Sequence, residues 1–280
     1  APEPYPLMVE GPGGTAVPIV SAGAYSKYLG ELTLTFDDGG LVTAASGGTV
    51  LLDASVTPDP ELLEEIKTYA GPIEDLKAKK VAVIGADIDG TRESCRAGEC
   101  QMGDLVADAM LDRVKGQGVT IALQNGGGLR ASIAGGEVSK GDVLAVLPFQ
   151  NTLSTFNIPG AGIVAALENG VSQVEEGGGR FPQVAGLKFT WDASVPPNAG
   201  RIKEVWVSEA GAWVPINPAK TYSVATNNFL RAGGDGYVAL RDQGTGAYDY
   251  GPNLEDVVGD YLAEHPDYAP GTDGRITRVN

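Results

Sequence analysis

The 280-residue sequence is long enough to bury a sizeable core, in one large domain or in two smaller ones. Hydrophobic residues make up 42% of it and charged residues 20%, an ordinary globular mixture that argues against disorder, and no run of about 18 apolar residues could span a membrane. Its formal charge of −16 argues against a nucleic-acid polymer as partner, because phosphate binding requires a basic face.

The first predicted elements are strands followed by a helix. Residues 17–53 alternate in the strand manner, and DDGG at 37–40 is a turn signal, so this segment is predicted to form a hairpin. Residues 58–70 change to a helical period, with proline and acidic residues at the start, where they favour a helix N-terminus. Residues 1–53 contain too few strands for a stable domain, which predicts that they are the tail of something larger. The N-terminus has neither a basic start nor an apolar signal core, so we expect any export signal to lie upstream or to have been removed.

From residue 80 to the C-terminus, predicted strands and helices interleave, which indicates a mixed α/β domain. The best amphipathic helices are predicted at 103–116 and at 253–265.

The only two cysteines, Cys95 and Cys100, stand five positions apart in SCRAGEC. Such a pair can close a small ring if the chain turns, whereas a zinc site would need two further ligands from a sequence that holds one histidine. The spacing favours a disulfide over free thiols. A disulfide would imply an oxidising compartment, either the periplasm or the cell exterior.

The most unusual stretch is QNGGGLRAS, residues 124–132, with three consecutive glycines after the apolar segment 118–123. Glycine loses the most backbone entropy on ordering, so a fold that fixes three of them needs positive φ angles or close approach of another group. The run is therefore either a strained turn without a ligand or a loop that lets a ligand touch the main chain.

Five side chains near such loops are candidates for binding. Arg96 lies between the cysteines and Arg130 closes the glycine loop, and two guanidinium groups can hold a phosphate or carboxylate; each alone could equally be a surface arginine. Phe149 and Phe229 follow strand ends, where two facing rings can sandwich a flat base, although a single phenylalanine is more often core. Asp235 in GGDGY is either a turn former or an acceptor for two ribose hydroxyls.

Five motifs occur in one order along the chain: SCRAGECQMGDLVADAM, LQNGGGLRASI, VSKGDVLAVLPFQNTLSTFNI, GGGRFPQVAGLKFTWD and TNNFLRAGGDGYVAL. Together they resemble the C-terminal substrate-binding domain of the 5′-nucleotidase family, which includes periplasmic UDP-sugar hydrolases and animal ecto-5′-nucleotidase. The resemblance covers residues 80–280 and implies an α+β fold of mixed sheets and packed helices. Residues 1–53 resemble the closing strands of the family's N-terminal metallophosphatase domain, and 54–79 would be the linker helix.

The resemblance implies a role for each candidate in nucleoside recognition. Phe149 and Phe229 match the two rings that clamp the base. Asn125 matches a polar contact to the base, and Asp235 matches the acceptor of the ribose hydroxyls.

It also implies a phosphate-binding side of the site. Arg96 and Arg130 match the arginines that reach toward ribose and phosphate, while Arg92 and Asn151 match contacts seen in only some members. The cysteine pair resembles a disulfide found beside the arginine in some relatives.

The family's catalytic residues have no counterpart in the sequence. Members hydrolyse phosphate esters with two divalent metal ions, such as Zn, Mn or Co, held by Asp, His and Asn ligands and assisted by a His–Asp pair in the N-terminal domain. The single histidine, His265, fits a surface position at a helix C-terminus, so we expect neither catalytic residues nor a metal site or cofactor here. The family's last metal-binding histidines would fall just before residue 1.

The sequence therefore predicts the nucleotide-binding part of an exported 5′-nucleotidase-like hydrolase of nucleotide catabolism, inactive by itself, in the periplasm or outside the cell. Its expected partners are a nucleotide or nucleoside and the missing N-terminal catalytic domain. Two alternatives remain: the same fold acting on 2′,3′-cyclic nucleotides or UDP-sugars, and a stand-alone nucleotide-binding module without catalysis.

Overall fold

The computed structural model describes residues 4–280, so residues 1–3 of the first predicted segment lie outside the described residues. The chain divides into two compact units, Ala1–Gly71 (unit 1) and Pro72–Asn280 (unit 2). The division falls inside a continuous helix, α1 (Pro60–Lys77), and not at the ends of the predicted linker 54–79. The predicted linker 54–79 contains this helix, whose residues belong to both units.

Unit 1 consists of two antiparallel hairpins and the first part of α1. The strands are β1 (Leu7–Glu10), β2 (Ala16–Ile19), β3 (Tyr28–Phe36) and β4 (Val42–Leu51), paired as β1–β2 and β3–β4. The predicted turn at DDGG joins β3 to β4, because Asp37 Oδ1 accepts the backbone N–H groups of Gly39 and Leu41, both at 2.9 Å. The predicted hairpin is thus confirmed.

Many apolar side chains of unit 1 are exposed, and no residue from 4 to 71 is buried. The side chains along α1 recur at intervals of four and three residues, which is the pattern of a helix stripe that packs against a partner. The exposed stripe comprises Leu62, Ile66 and Tyr69 in unit 1 and continues along α1 with Ile73 and Leu76, which belong to unit 2.

Unit 2 is a mixed α/β assembly, which confirms the predicted fold class. Its helices are α2 (Arg92–Cys95), α3 (Gln101–Val114), α4 (Lys140–Val146), α5 (Gly160–Gly170), α6 (Asn228–Arg231), α7 (Val238–Gln243) and α8 (Leu254–Glu264). Its strands are β5 (Lys80–Ile84), β6 (Ile121–Asn125), β7 (Gly136–Ser139), β8 (Leu153–Pro159), β9 (Pro182–Ala185), β10 (Leu187–Trp191), β11 (Ile202–Glu209), β12 (Ala212–Pro215), β13 (Thr221–Asn227), β14 (Thr245–Tyr248) and β15 (Ile276–Arg278). The helices predicted at 103–116 and 253–265 are α3 and α8.

The core of unit 2 has two parts. One gathers the apolar faces of α3, α4 and α8, where Met102, Leu105 and Met110 of α3 are fully buried at helical spacing. The other lies between the sheets and α5 and contains Phe156 and Trp191.

A five-stranded sheet, in the order β14-β8-β13-β6-β9, determines where the loops meet. β6 and β13 are parallel, so both end at the same edge, while the antiparallel strands β8 and β9 begin there. Leu153 of β8 faces Asn227, and Pro182 of β9 faces Asn125. The segments after β6 and β13 and those before β8 and β9 therefore converge on one edge. A second sheet, β12-β11-β10-β15, and the pair β5–β7 complete the unit.

Candidate functional site

A cavity of about 530 Å³ opens at the sheet edge where these four segments converge. Its lining residues are Arg96, Asn125, Gly127, Gly128, Arg130, Phe149, Asn151, Gly179, Phe229 and Asp235. Seven of the eight side chains predicted to bind substrate are therefore brought to one place. The eighth, Arg92, lines a neighbouring cavity that also contains Arg96 and Arg130.

The three glycines of QNGGG are explained by the chain's own packing. A Cβ on Gly126 would lie 2.1 Å from the Cys95 carbonyl oxygen, and one on Gly127 would lie 2.8 Å from Gly179 Cα. A Cβ on Gly128 would meet the side chain of Gln124 at 2.4 Å. No positive φ is involved, so the requirement is close approach of backbone and side chains of this protein. Approach of a nucleotide to the exposed side of this loop stays a prediction.

The two predicted aromatic rings stand outside the core. Phe149 is 55% exposed and Phe229 is 44% exposed, and both line the cavity. Phe149 is followed by Gln150, a non-glycine residue with φ of 54°, and such strained backbone is characteristic of functional sites. The Arg130 guanidinium carbon lies 5.8 Å from the centroid of the Phe149 ring. Half-exposed rings at a cavity wall are placed to stack on a flat ligand.

A chain of buried amides positions Asp235. Asn227, fully buried at the end of β13, donates from Nδ2 to Asn125 Oδ1 at 3.0 Å, and Asn125 Nδ2 donates to Asp235 Oδ2 at 2.8 Å. Asn169 Nδ2 donates to the backbone carbonyl of Asp235 at 3.2 Å. Asp235 itself has φ of 52°, a left-handed conformation that Asp tolerates better than most residues. The carboxylate is thus fixed before any ligand binds. Its other oxygen, Oδ1, accepts no hydrogen bond from residues 4–280.

The arginine side of the cavity gathers three positive charges, those of Arg92, Arg96 and Arg130. Arg96 is 9% exposed, its Nε has no hydrogen-bond partner, and one terminal N–H donates to the Gly177 carbonyl at 3.2 Å. Arg92 donates to the same carbonyl at 3.3 Å. Burial, followed by the charges of Arg92 and Arg130, lowers the pKa of Arg96 from its usual value. An anion placed between these arginines would relieve the repulsion among them.

The predicted disulfide joins Cys95 to Cys100, with an S–S distance of 2.10 Å. Arg96 directly follows the first cysteine, at the end of α2, so the ring carries the buried guanidinium into the cavity wall.

Several residues that shape the site were not among the sequence-based candidates. GGGR at 177–180 begins one of the five motifs but held no candidate residue, yet Gly179 lines the cavity and the Gly177 carbonyl accepts from two arginines. Asn227 and Gln183 are buried polar residues at strand ends, and a polar side chain inside an otherwise apolar strand is the signal that could have indicated them.

The fold and the cavity define a substrate-binding domain of mixed α/β class, with an aromatic side, a fixed carboxylate and a cluster of arginines. Residues 77–242 match the family model described as 5′-nucleotidase, C-terminal domain, which is more than half of the chain. The protein belongs to the 5′-nucleotidase family.

Similar proteins support the same assignment over the full chain. The trifunctional nucleotide phosphoesterase protein YfkN of Bacillus subtilis (strain 168) is 39% identical over 266 residues, which are 93% of this chain and 18% of that protein. The snake venom 5′-nucleotidase of Macrovipera lebetinus is 31% identical, over 98% of this chain and 70% of that protein. The crystal structure of the 5′-nucleotidase precursor from Thermus thermophilus is 39% identical with a TM-score of 0.74, covering 99% of this chain and 55% of that one. This chain thus spans half or less of the length of several relatives, such as the 5′-nucleotidases of Diplobatis ommata and Crotalus adamanteus, at 50% and 48%.

The residues described here do not fit a catalytic metal pair. His265, the only histidine, ends α8, where its ring stacks on Tyr261 at 4.1 Å between centroids. Within residues 4–280, one acidic group could share an ion, formed by Glu99, Asp104 and Asp273. The Glu99 carboxylate accepts three backbone N–H groups, and a cation, Arg275, already lies 3.5 Å from Asp104. No reaction step is therefore assigned to a metal in this chain. No helix within residues 4–280 has both the length and the apolar character needed to cross a membrane.

Proposed function

We propose that unit 2 binds a nucleoside 5′-monophosphate in the cavity at the sheet edge. The base would stack between Phe149 and Phe229, the ribose hydroxyls would donate to Asp235, and the phosphate would lie toward Arg96 and Arg130. Asn125, Arg92 and Asn151 would add polar contacts, with Asn125 acting at the base and also orienting the carboxylate. The cysteine ring would hold Arg96 at the phosphate.

One observation carries this proposal above the others. The cavity is lined by the guanidinium groups of Arg96 and Arg130 and, at the same sheet edge, by the Asp235 carboxylate, whose Oδ2 already accepts from Asn125 at 2.8 Å. A ligand that satisfies both groups must combine an anion with neutral hydroxyl donors, which is the chemistry of a sugar phosphate. The two half-exposed rings beside them supply the surface for a flat base.

We further propose that the chain is the substrate-binding part of an exported 5′-nucleotidase-type phosphoric ester hydrolase of nucleotide catabolism, located in the periplasm or outside the cell. Residues 1–53 would be closing strands of an N-terminal metallophosphatase domain, 54–79 its linker helix and 80–280 the binding domain. The longer relatives and the exposed apolar side chains of unit 1 support a partner domain. That domain would supply the divalent metal pair, such as Zn, Mn or Co, and the hydrolytic chemistry.

In that arrangement unit 2 contributes binding and orientation. Fixing a substrate in a reactive geometry can lower the activation barrier by several kcal/mol, and by about 7–11 kcal/mol in the best cases. The pre-set positions of Asp235 and Arg96 are what such orientation requires.

The proposal is tested by titration calorimetry of the chain with adenosine, AMP, 2′,3′-cyclic AMP and UDP-glucose. We expect AMP to bind most tightly and adenosine more weakly. Tighter binding of the cyclic nucleotide or of UDP-glucose would favour the corresponding alternative substrate, and the absence of binding to all four would contradict a nucleotide site.

A phosphate-release assay with AMP and added Mn²⁺, Co²⁺ or Zn²⁺ tests whether this chain binds the nucleotide without hydrolysing it. We expect the rate to stay at the buffer blank because the chain offers no fitting ligand set. Metal-dependent release from a preparation free of host phosphatases would contradict this.

A further inference from the structure

Gln183 lies behind the arginine side of the site, fully buried on β9 and outside the cavity lining. We propose that Gln183 is a positioning residue, which sets the place of Arg96 by anchoring both ends of the disulfide ring to the sheet. The inference rests on the proposed function, because it assigns Gln183 a part in binding the phosphate of the nucleotide.

The Gln183 amide is bonded on both sides to the ring. Its Nε2 donates to the carbonyl oxygens of Cys95 at 3.1 Å and Gly98 at 2.7 Å, and its Oε1 accepts the backbone N–H of Cys100 at 3.2 Å. Both N–H donors of the amide are therefore used, and the ring is held at its two ends and in its middle. The disulfide closes the ring, but among the described residues it is Gln183 that ties the ring to β9.

Two glycines make room for this arrangement. Gly103 lies in the first turns of α3, where a Cβ would stand 2.2 Å from Gln183 Oε1. A glycine inside a helix costs about 0.5–1 kcal/mol relative to alanine, so the helix loses stability at the point where the amide must fit. On the other side, a Cβ on Gly126 would lie 2.1 Å from the Cys95 carbonyl oxygen that accepts from Gln183. The Cys95 carbonyl is thus pinned between the amide and the glycine loop.

Gln183 acts on the ligand site through one residue, Arg96. Arg96 follows Cys95 directly, and its guanidinium is 9% exposed with Nε unpartnered and one N–H on Gly177. A buried cation that forms no close ion pair is costly, so it tends to move toward water unless its backbone is fixed. Anchoring the ring keeps Arg96 aimed into the cavity in the absence of ligand, which removes an ordering cost from phosphate binding.

A second glutamine provides a matched comparison. Gln124 faces Gln183 across the β6–β9 pair and is equally buried. Its Oε1 accepts from Asn227 Nδ2 at 2.8 Å, so it supports the amides that hold Asp235 rather than the ring. Gln183 therefore supports the side of the site proposed for the phosphate, and Gln124 supports the side proposed for the nucleoside.

The test is the ratio of AMP affinity to adenosine affinity, measured by titration calorimetry. Gln183→Met keeps the volume and removes the hydrogen bonds, and it should lower this ratio about tenfold with adenosine affinity unchanged, the effect of losing one charge-assisted contact. Gln124→Met should weaken both ligands alike. Val184→Ala, a buried truncation on the other face of β9, should lower the melting temperature and leave the ratio unchanged.

A double-mutant cycle shows whether Gln183 acts through Arg96. Arg96→Ala alone should lower the ratio, and Gln183→Met added to it should lower it no further. An equal loss in the Arg96→Ala background, or an unchanged ratio in folded Gln183→Met, overturns the inference. If the wild-type protein binds neither ligand, the proposed function is wrong. If the wild type binds both and the ratio does not change in Gln183→Met, only the positioning role of Gln183 is wrong.

Gly103→Ala covers the case in which Gln183→Met does not fold. It displaces the same amide from the opposite side and should also lower the ratio. A ligand-free readout is the exchange rate of the Arg96 Nε–H by NMR, which should be slow in the wild type and faster in either variant. Slow exchange in the variants would count against a positioning role.

Discussion

Truncating the two aromatic rings is the sharpest test of how the cavity binds a base. Phe149→Ala and Phe229→Ala each remove one stacking face, which is worth about 1–3 kcal/mol per base, or about 5- to 150-fold in Kd for adenosine. The stability effect should be smaller than for a core ring. Phe149 is 55% and Phe229 44% exposed, so roughly half of the core cost of about 3–5 kcal/mol applies, or about 2 kcal/mol.

Titration calorimetry with adenosine and thermal melts on the same samples separate the two effects. Phe181→Ala is the matched core control, because Phe181 is fully buried and packs edge-on against Trp191 at 6.0 Å. Phe181→Ala should lower the free energy of unfolding more than Phe149→Ala or Phe229→Ala does. Gly234→Ala moves the Phe229 ring without deleting it, since the new Cβ would lie 2.5 Å from that ring, and it should weaken adenosine as well. If both truncations destabilise as much as Phe181→Ala and the folded fraction keeps wild-type affinity, the rings belong to the core and the clamp is wrong.

Three further measurements follow from the same structure. Asp235→Asn should weaken adenosine more than 2′,3′-dideoxyadenosine in calorimetry, since only the former offers hydroxyl donors; equal losses would remove the ribose role. Burial raises the pKa of Asp104 to about 9, despite Arg275 at 3.5 Å, so between pH of about 4 and 9 the folded state keeps a proton that the unfolded chain releases. The free energy of unfolding should therefore fall as pH rises through that window, and Asp104→Asn should flatten the slope in denaturant titrations; parallel slopes would refute the buried proton. Reducing the Cys95–Cys100 ring should add two hydrogens to the intact mass and cost about 2 kcal/mol by its loop length, whereas two freely alkylating thiols in unreduced protein would contradict the bond.

The sequence was sufficient for the features that local chemistry decides. DDGG predicted the β3–β4 turn, helical periodicity predicted α3 and α8, and the five-residue cysteine spacing favoured the bond now seen. The site candidates were proposed because they lie in short motifs, most of them next to a strand end, with Arg92 and Arg96 at α2. Their convergence follows from the strand order of one sheet, which no local pattern encodes.

What the sequence could not indicate are the supports that act across long separations. Gln183 bonds to residues more than 80 positions away, and the Gly179 carbonyl accepts the Gly127 N–H at 2.7 Å from a different loop. The purpose of the three glycines was also only half predicted. Close approach was expected, but the groups that approach are the Cys95 carbonyl, Gly179 and Gln124.

Under the proposed function, these supports favour one kind of ligand. Asn125 is bonded at both ends, to Asn227 and to Asp235, so its amide cannot swing freely to suit a ligand. Arg96 directly follows Cys95 of the disulfide ring and donates to the Gly177 carbonyl. A free base would leave the buried cation unpaired, and inorganic phosphate would leave the aromatic rings in water. Only a molecule that joins an anion, hydroxyl donors and a flat ring satisfies all three at once, and for that reason we expect AMP to exceed both adenosine and phosphate in affinity.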